Sequence, residues 1–290
     1  MRICVALALS LALAGCAISD SEREGAQPVR SSPPTVDAPP SPDAPIPRVP
    51  AALANRLTKT QRVLQAAIDR WRAEGDPLHR SPPREVVLLA LHQQRIHLLL
   101  TARVALAKRV LARLPDRIAA DARATIEARR GLGRITPPVR RRRFRTGPAE
   151  PAGLLLRHYR EAQRRFGVGW PVLAAVNFVE SAFGRLRNES SAGAQGPMQF
   201  IPSTWRAYGM GGDVHDPHDA VLGAANYLHA NGAPGDYRRA LYAYNPASAY
   251  VNAILGFARQ IRRDPRAYFG YYSWQVFVRT PSGVRRITGP

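Results

Sequence analysis

The alternation of apolar and polar positions divides the chain into helical runs. Between residues 51 and 75, Leu53, Leu57, Leu64, Ile68 and Trp71 follow one another at spacings of four, seven, four and three. That spacing keeps them on one face of a helix with 3.6 residues per turn. Gly75-Asp76-Pro77 breaks the run. A longer helix is predicted from about Pro83 to Leu114, with Leu89, Ile96, Leu99, Leu106 and Val110 on one side, and Pro115-Asp116 ends it. A weaker run from Arg117 to Arg130 stops at Gly131-Leu132-Gly133, glycines being poor helix interiors. Three consecutive helices with short breaks predict a small antiparallel bundle over residues 51–133. His92 and Arg103 interrupt the apolar face of its long helix. His92 is read as a core or boundary residue, because no partner stands at ligand spacing.

Periodicity resumes at residue 150. Leu155, Tyr159, Ala162 and Phe166 mark one helix before Gly167-Val168-Gly169, and Trp170 to Gly184 form a second, mostly apolar helix with Pro171 in its first turn. Further helices are predicted from Pro202, from Pro217 to Ala230, from Tyr237 to Tyr244 and from Ala249 to Arg262. The end differs: Trp274 to Thr280 and Val284 to Thr288 read as strands around a Pro281-Ser282-Gly283 turn. The predicted fold class is mainly α, a helical bundle followed by an α-helical domain with a short C-terminal β-hairpin.

Chemistry concentrates between Trp170 and Trp205. Glu180 lies one turn after Val176 and two after Leu173, so its carboxylate projects from a face whose other members are apolar. No Lys or Arg occupies the preceding turn, and desolvation then favours the protonated form, as a general acid requires. A plainer alternative has Glu180 reaching solvent or the guanidinium of Arg185 or Arg187. Gly193 to Trp205 follows as a tight loop rich in glycine and proline, of the kind that positions side chains. Asp216 before Pro217 reads as a helix cap, with Asp219 in the first turn; Asp213, Asp216 and Asp219 do not follow the order of a calcium loop. His215 and His218 are read as surface residues.

Glu180-Ser181, then Gly196-Pro197-Met198-Gln199-Phe200-Ile201-Pro202-Ser203-Thr204-Trp205, then Ala243-Tyr244-Asn245 together resemble the signature motifs of lytic transglycosylases with a goose-lysozyme-like (SLT) catalytic domain. The resemblance covers roughly residues 150 to 265. It implies cleavage of the β-1,4 bond between N-acetylmuramic acid and N-acetylglucosamine in peptidoglycan strands, leaving a 1,6-anhydro ring, with Glu180 acting first as acid and then as base. It further implies that Ser181 and Tyr244 orient Glu180 or the glycan, that Gln199 and Asn245 bond the N-acetyl sugars, and that Met198 and Phe200 form an apolar wall. Pro197 departs from the apolar residue that many members carry there, which stiffens the loop. Most glycosidases use two carboxylates, and this chain offers one convincing candidate, which suits a reaction whose nucleophile is the substrate's own C6 hydroxyl. Two alternatives stay open: a lysozyme-like hydrolase recruiting water through Asp213 or another acid, and a non-enzymatic wall-binding lipoprotein.

Composition sets the compartment. The chain has 290 residues and a formal charge of +21, with Lys only at Lys59 and Lys108, and so much positive charge favours an anionic partner without naming it. Met1-Arg2 followed by an apolar run from Ile3 to Ala14 is too short to span a bilayer. It reads as a signal peptide over residues 1–15, and Leu13-Ala14-Gly15-Cys16 resembles a bacterial lipobox, implying lipid attachment at Cys16. The expectation is a membrane-anchored, extracytoplasmic lipoprotein of the cell envelope. Residues 16–50, with clustered proline, read as a tether. Residues 134–149 form an Arg- and Pro-rich linker holding Arg140, Arg141, Arg142, Arg143 and Arg145. Secretion argues against nucleic acid there and in favour of anionic lipid or wall polymer. Loss of Cys4 with the leader leaves no cysteine pair, and neither a cofactor nor a metal is expected.

Overall fold

A computed structural model of the chain describes residues 38–139, 143–281 and 283–290. The signal peptide, Cys16, most of the Pro-rich stretch and Arg140, Arg141 and Arg142 lie outside the described residues. The three predicted N-terminal runs become four helices: α1 (Pro50–Glu74), α2 (Arg84–Ala102), α3 (Val104–Leu111) and α4 (Asp116–Ile135). The expected continuous helix to Leu114 breaks at Arg103, whose backbone leaves the helical region. Arg130 of α4 takes up carbonyls near the break, donating from Nε to the Thr101 carbonyl at 2.9 Å and from Nη2 to that of Leu100 at 3.0 Å. An inserted side chain of this kind is a recognised cause of a helix break. The expected stop at Gly131-Leu132-Gly133 does not occur either, since α4 continues to Ile135. Gly131 instead serves close approach: a Cβ built there would stand 3.4 Å from the Cβ of Ala249.

The second half follows its pattern more closely, with α5 (Ala152–Phe166), α6 (Trp170–Ser181), α7 (Pro202–Tyr208), α8 (Pro217–Ala230), α9 (Tyr237–Tyr244) and α10 (Ser248–Arg263). Gly167 ends α5 in the left-handed region at φ 72°, where a side chain would be strained. An additional helix, α11 (Arg266–Tyr272), escapes the periodicity because nearly all of it, from Tyr268 to Tyr272, is buried. The hairpin is real and shorter than predicted: β1 (Phe277–Thr280) pairs antiparallel with β2 (Gly283–Arg286), Phe277 opposite Arg286 and Thr280 opposite Gly283.

The apolar faces meet in two principal clusters. The smaller lies among the N-terminal helices and includes Leu53, Leu57, Ile96, Leu100, Val110 and Ile126, with Ile46 from the preceding segment packed against it. The larger is shared by both halves, joining Leu64, Ile68 and Trp71 of α1, Val86 and Leu89 of α2 and Leu132 of α4 to α5, α6, α8, α10 and α11. Polar contacts reinforce the junction: Gln94 of α2 donates to the Gln275 carbonyl at 2.8 Å and accepts from its N–H at 2.9 Å, while the Trp274 indole donates to Gln93 Oε1 at 3.1 Å. His92 and His97 are buried, and desolvation holds their imidazoles down to about 4 and about 3, so both are neutral at physiological pH.

Because Leu64 and Leu173 belong to one cluster, we predict that Leu64→Ala and Leu173→Ala each cost about 2–5 kcal/mol and shift the same urea transition, followed by far-UV circular dichroism and by tryptophan fluorescence. Two separated transitions in Leu64→Ala would show instead that the halves unfold independently.

Candidate active site

Helix α6 is buried on every side, all residues from Pro171 to Ser181 being inaccessible. Such a helix has no polar face to offer, so each polar group on it must find a partner inside the protein. Asn177 and Ser181, one turn apart, are satisfied by the loop opposite. Asn177 Nδ2 donates to the Pro197 carbonyl at 2.8 Å and its Oδ1 accepts from the Tyr159 hydroxyl at 2.6 Å. Ser181 Oγ donates to the same Pro197 carbonyl at 2.5 Å and accepts from Gly184 N–H at 2.8 Å. Ser181 thus holds the loop and the helix end rather than the Glu180 carboxyl.

Glu180 is treated differently. Its residue is 3% exposed. Oε1 accepts a 2.6 Å hydrogen bond from the Tyr250 hydroxyl, and Oε2 is buried with no hydrogen-bond partner. Neither nearby arginine pairs with it: Arg185 donates to the Ala182 carbonyl and lies over the Tyr272 ring, and Arg187 donates to the Pro148 carbonyl. Burial pushes the Glu180 carboxyl from its ordinary 4.5 up to about 8, against the smaller opposing effect of the Tyr250 hydrogen bond. It is therefore mostly protonated at neutral pH, and with Oε1 accepting from Tyr250 the proton resides on Oε2.

The helix ends abruptly after Ser181. Ala182, Phe183 and Gly184 have φ of 52°, 64° and 81°, a left-handed run that is costly for the two residues with side chains. The loop opposite is a miniature hairpin in which Gln195 and Phe200 exchange backbone hydrogen bonds of 2.8 and 2.9 Å. Gly196, at φ 71°, admits no side chain, since a Cβ there would lie 1.8 Å from the Val214 carbonyl oxygen. Gln199 also has a positive φ, 53°, and its Nε2 donates to the Gly196 carbonyl at 2.9 Å. Met198 and Phe200 are buried in the large core.

Tyr244, the last residue of α9, donates to the Met198 carbonyl at 2.6 Å and lies parallel to Tyr250, with ring centroids 6.5 Å apart. Asn245 follows as the C-cap of α9 and is buried. Glu180, the loop and Tyr244 are thus brought together. Tyr250 was missed as a partner of Glu180 by the sequence reading, because it looks like any other apolar-face residue of α10, one turn before Ile254. Its signal was the need of a buried carboxyl for a donor. Asp213, Asp216 and Asp219 are occupied locally: Asp216 caps α8 by accepting from Asp219 N–H at 2.9 Å, Asp219 Oδ2 accepts from Asp213 N–H at 2.9 Å, and Asp213 Oδ1 accepts from His215 N–H at 2.8 Å.

A raised carboxyl pKa carries a stability consequence. Between about 4.5 and about 8 the folded state holds the Glu180 proton while the unfolded chain releases it, so stability falls as pH rises through that window. We predict that Glu180→Gln leaves the thermal midpoint almost unchanged near pH 4 and raises it progressively towards pH 8, by the equivalent of a few kcal/mol at most. Parallel pH profiles for the two proteins would mean that Glu180 ionises normally.

Residues 157–258 match the family described as Transglycosylase SLT domain. Among curated proteins, the membrane-bound lytic murein transglycosylase F of Thiobacillus denitrificans is 28% identical over 179 residues, which covers 56% of this chain and 36% of that protein. The chain therefore spans little more than a third of the relative's length. No solved structure matches the chain. The matched interval contains Glu180, the Gly196–Phe200 loop, Tyr244, Asn245 and Tyr250. Over residues 157–258 the chain is thus similar to the transglycosylase SLT domain, and the Glu180-to-Asn245 motifs fall within that interval.

Proposed function

We propose that this protein is a peptidoglycan lytic transglycosylase in which Glu180 alone performs the proton transfers. The observation that carries the proposal is the buried carboxyl pushed up to about 8 with one unpartnered oxygen. Protonated Oε2 gives its proton to the glycosidic oxygen as the bond from C1 of N-acetylmuramic acid to that oxygen breaks. The C6 hydroxyl of the same sugar attacks C1, and its proton passes to the carboxylate left on Glu180, which restores the acid. No water is consumed. Ring closure within one sugar gains from proximity and needs no positioned nucleophile. The Tyr250 hydroxyl favours the carboxylate halfway through the cycle, and so eases the first transfer. Because Oε2 is buried, a glycan has to displace the side chains over it, which keeps bulk water away from the positive charge at C1.

Two features favour this reading over hydrolysis. Burial displaces the Glu180 carboxyl upwards against the opposing Tyr250 hydrogen bond, with no second carboxylate involved, and Asp213, Asp216 and Asp219 are committed to backbone N–H groups of their own segment. Gln199, Asn245, Met198 and Phe200 are proposed to border the sugars, with Ser181 and Tyr244 fixing the loop that presents them.

For localisation we propose the cell envelope, with the chain anchored by lipid at Cys16. The relative from Thiobacillus denitrificans is named as membrane-bound, and among the described residues no helix is long and apolar enough to cross a membrane. Arg140, Arg141, Arg142, Arg143 and Arg145 are proposed to meet anionic lipid or wall polymer. Membrane fractionation checks the anchor: the chain is expected with the membranes, and Cys16→Ser is expected in the soluble fraction.

Mass spectrometry of muropeptides released from purified peptidoglycan tests the chemistry. Anhydro-muramyl products, one water lighter than hydrolysis products, are expected, and Glu180→Gln should reduce release by several orders of magnitude while folding normally. Reducing-end products would make the protein a hydrolase. Tyr250→Phe should lower kcat by roughly 10- to 100-fold and move the alkaline limb of the pH profile to higher pH, since it removes the interaction that lowers the Glu180 pKa. An unmoved limb would show that the limb reports another group.

A further inference from the structure

His158 and Glu161 stand three residues apart on α5, on one face of the helix. The first turn of α8 packs against that face and brings His218 to them. One ligand atom from each of His158, Glu161 and His218 lies within 4.8 Å of the other two. His218 Nε2 is 3.1 Å from Glu161 Oε1, close to the separation of two donors on one tetrahedral metal, about 3.3 Å for bonds of about 2.0–2.1 Å.

The surroundings have the form of a second layer of support. His218 Nδ1, the other ring nitrogen, is 3.5 Å from Asp219 Oδ1, and His158 Nε2 is 3.2 Å from Glu150 Oε2. Each imidazole thus has a carboxylate beside it, the arrangement that fixes the tautomer of a metal-bound histidine. Asp216, at the cap of α8, adds a fourth acid and forms a second close group with His218 and Asp219. Four carboxylates around two imidazoles are notable in a chain of 42 basic and 21 acidic residues.

We propose that His158, Glu161 and His218 bind a divalent transition metal, with Zn²⁺ as the natural occupant, and that the ion clamps α5 to the start of α8. Two imidazoles and one carboxylate favour Zn²⁺ over Ca²⁺ or Mg²⁺, which take oxygen ligands. The clamp lies near the chemistry without entering it: the segment leading into α8 carries Val214, whose carbonyl closes against Gly196, so the ion steadies the backing of the site loop. The inference is independent of the proposed reaction. The sequence reading expected no metal and left His218 on the surface, because the pattern along the chain does not show that α8 returns to α5.

Titration calorimetry on the tag-free full chain, stripped of metal with a chelator and titrated with ZnCl₂, tests it. One Zn²⁺ per chain is expected, with a thermal midpoint that rises with Zn²⁺ concentration and no displacement by excess Ca²⁺. Glu150→Gln should weaken binding by about 10- to 100-fold, and His218→Ala and Glu161→Gln should abolish the stoichiometric site while leaving the far-UV spectrum unchanged. Should His218→Ala misfold, Glu161→Gln, on the half-exposed side of the cluster, decides alone. Absence of saturable binding, or binding unchanged in Glu161→Gln, would leave the cluster as two histidine–carboxylate pairs and overturn the proposal.

Discussion

The constraint on which the rest depends is the burial of one carboxyl group on a helix that has no polar face. Placing an ionised carboxylate in such surroundings costs several kcal/mol unless it is paired, and among the described residues Glu180 is paired with no cation and accepts from a tyrosine hydroxyl instead. The protein resolves the conflict by keeping the proton. What would be a defect in a structural helix is a chemical resource in the proposed reaction, since a neutral acid is held ready to donate at neutral pH. The surrounding helices, α5, α8, α10 and α11, all contact α6, and their aromatic residues complete the enclosure. Phe178, for instance, meets Phe183, Phe257, Tyr271 and Trp274 at ring-centroid distances of 5.1 to 5.9 Å.

The polar groups next to Glu180 have a separate task. Tyr159, Asn177 and Ser181 form a buried chain of hydrogen bonds that ends on the Pro197 carbonyl, while Tyr244 holds the neighbouring Met198 carbonyl. Two successive carbonyls of the loop are therefore clamped from α6 and α9. A clamp of this kind makes the left-handed backbone at Gln199 and the close approach of Gly196 to Val214 affordable. Pro197, the departure from the family pattern, sits where it donates no N–H and where its carbonyl accepts two bonds, so the substitution leaves the clamp intact.

Much of this was legible in the sequence, and the exceptions have physical reasons. The helices from α5 to α10 were readable because they are amphipathic or bounded by glycine and proline, and Glu180 was readable because a charged residue in an apolar run is conspicuous. The break at Arg103 was not, because it is stabilised by Arg130, a residue from another helix. The continuation of α4 through Gly131 and Gly133 was not, because local propensity marks glycine as a stop, and at Gly131 it is the packing of α4 on α10 that explains the residue. α11 was hidden by burial on all sides, which erases the 3.6-residue period. Tyr250 was hidden for a related reason: a tyrosine on an apolar face looks like core until the partner of its hydroxyl is known.

The N-terminal helices carry no recognisable chemistry, yet they are part of what holds the acid in place. Among the described residues α4 and α10 have the most extensive contact of any helix pair, and there Gly131 meets Ala249, which leaves room for little beyond a methyl group. Ala249 immediately precedes Tyr250, the donor to Glu180. The helix that presents that hydroxyl is thus packed from outside the SLT interval, by a helix that is itself tied through Arg130 to the break between α2 and α3. A 2.6 Å hydrogen bond tolerates little displacement, and its loss would change both the acidity of Glu180 and the stability of the carboxylate formed in the proposed reaction. In the proposed reaction the helical half therefore contributes through packing, by supporting α10.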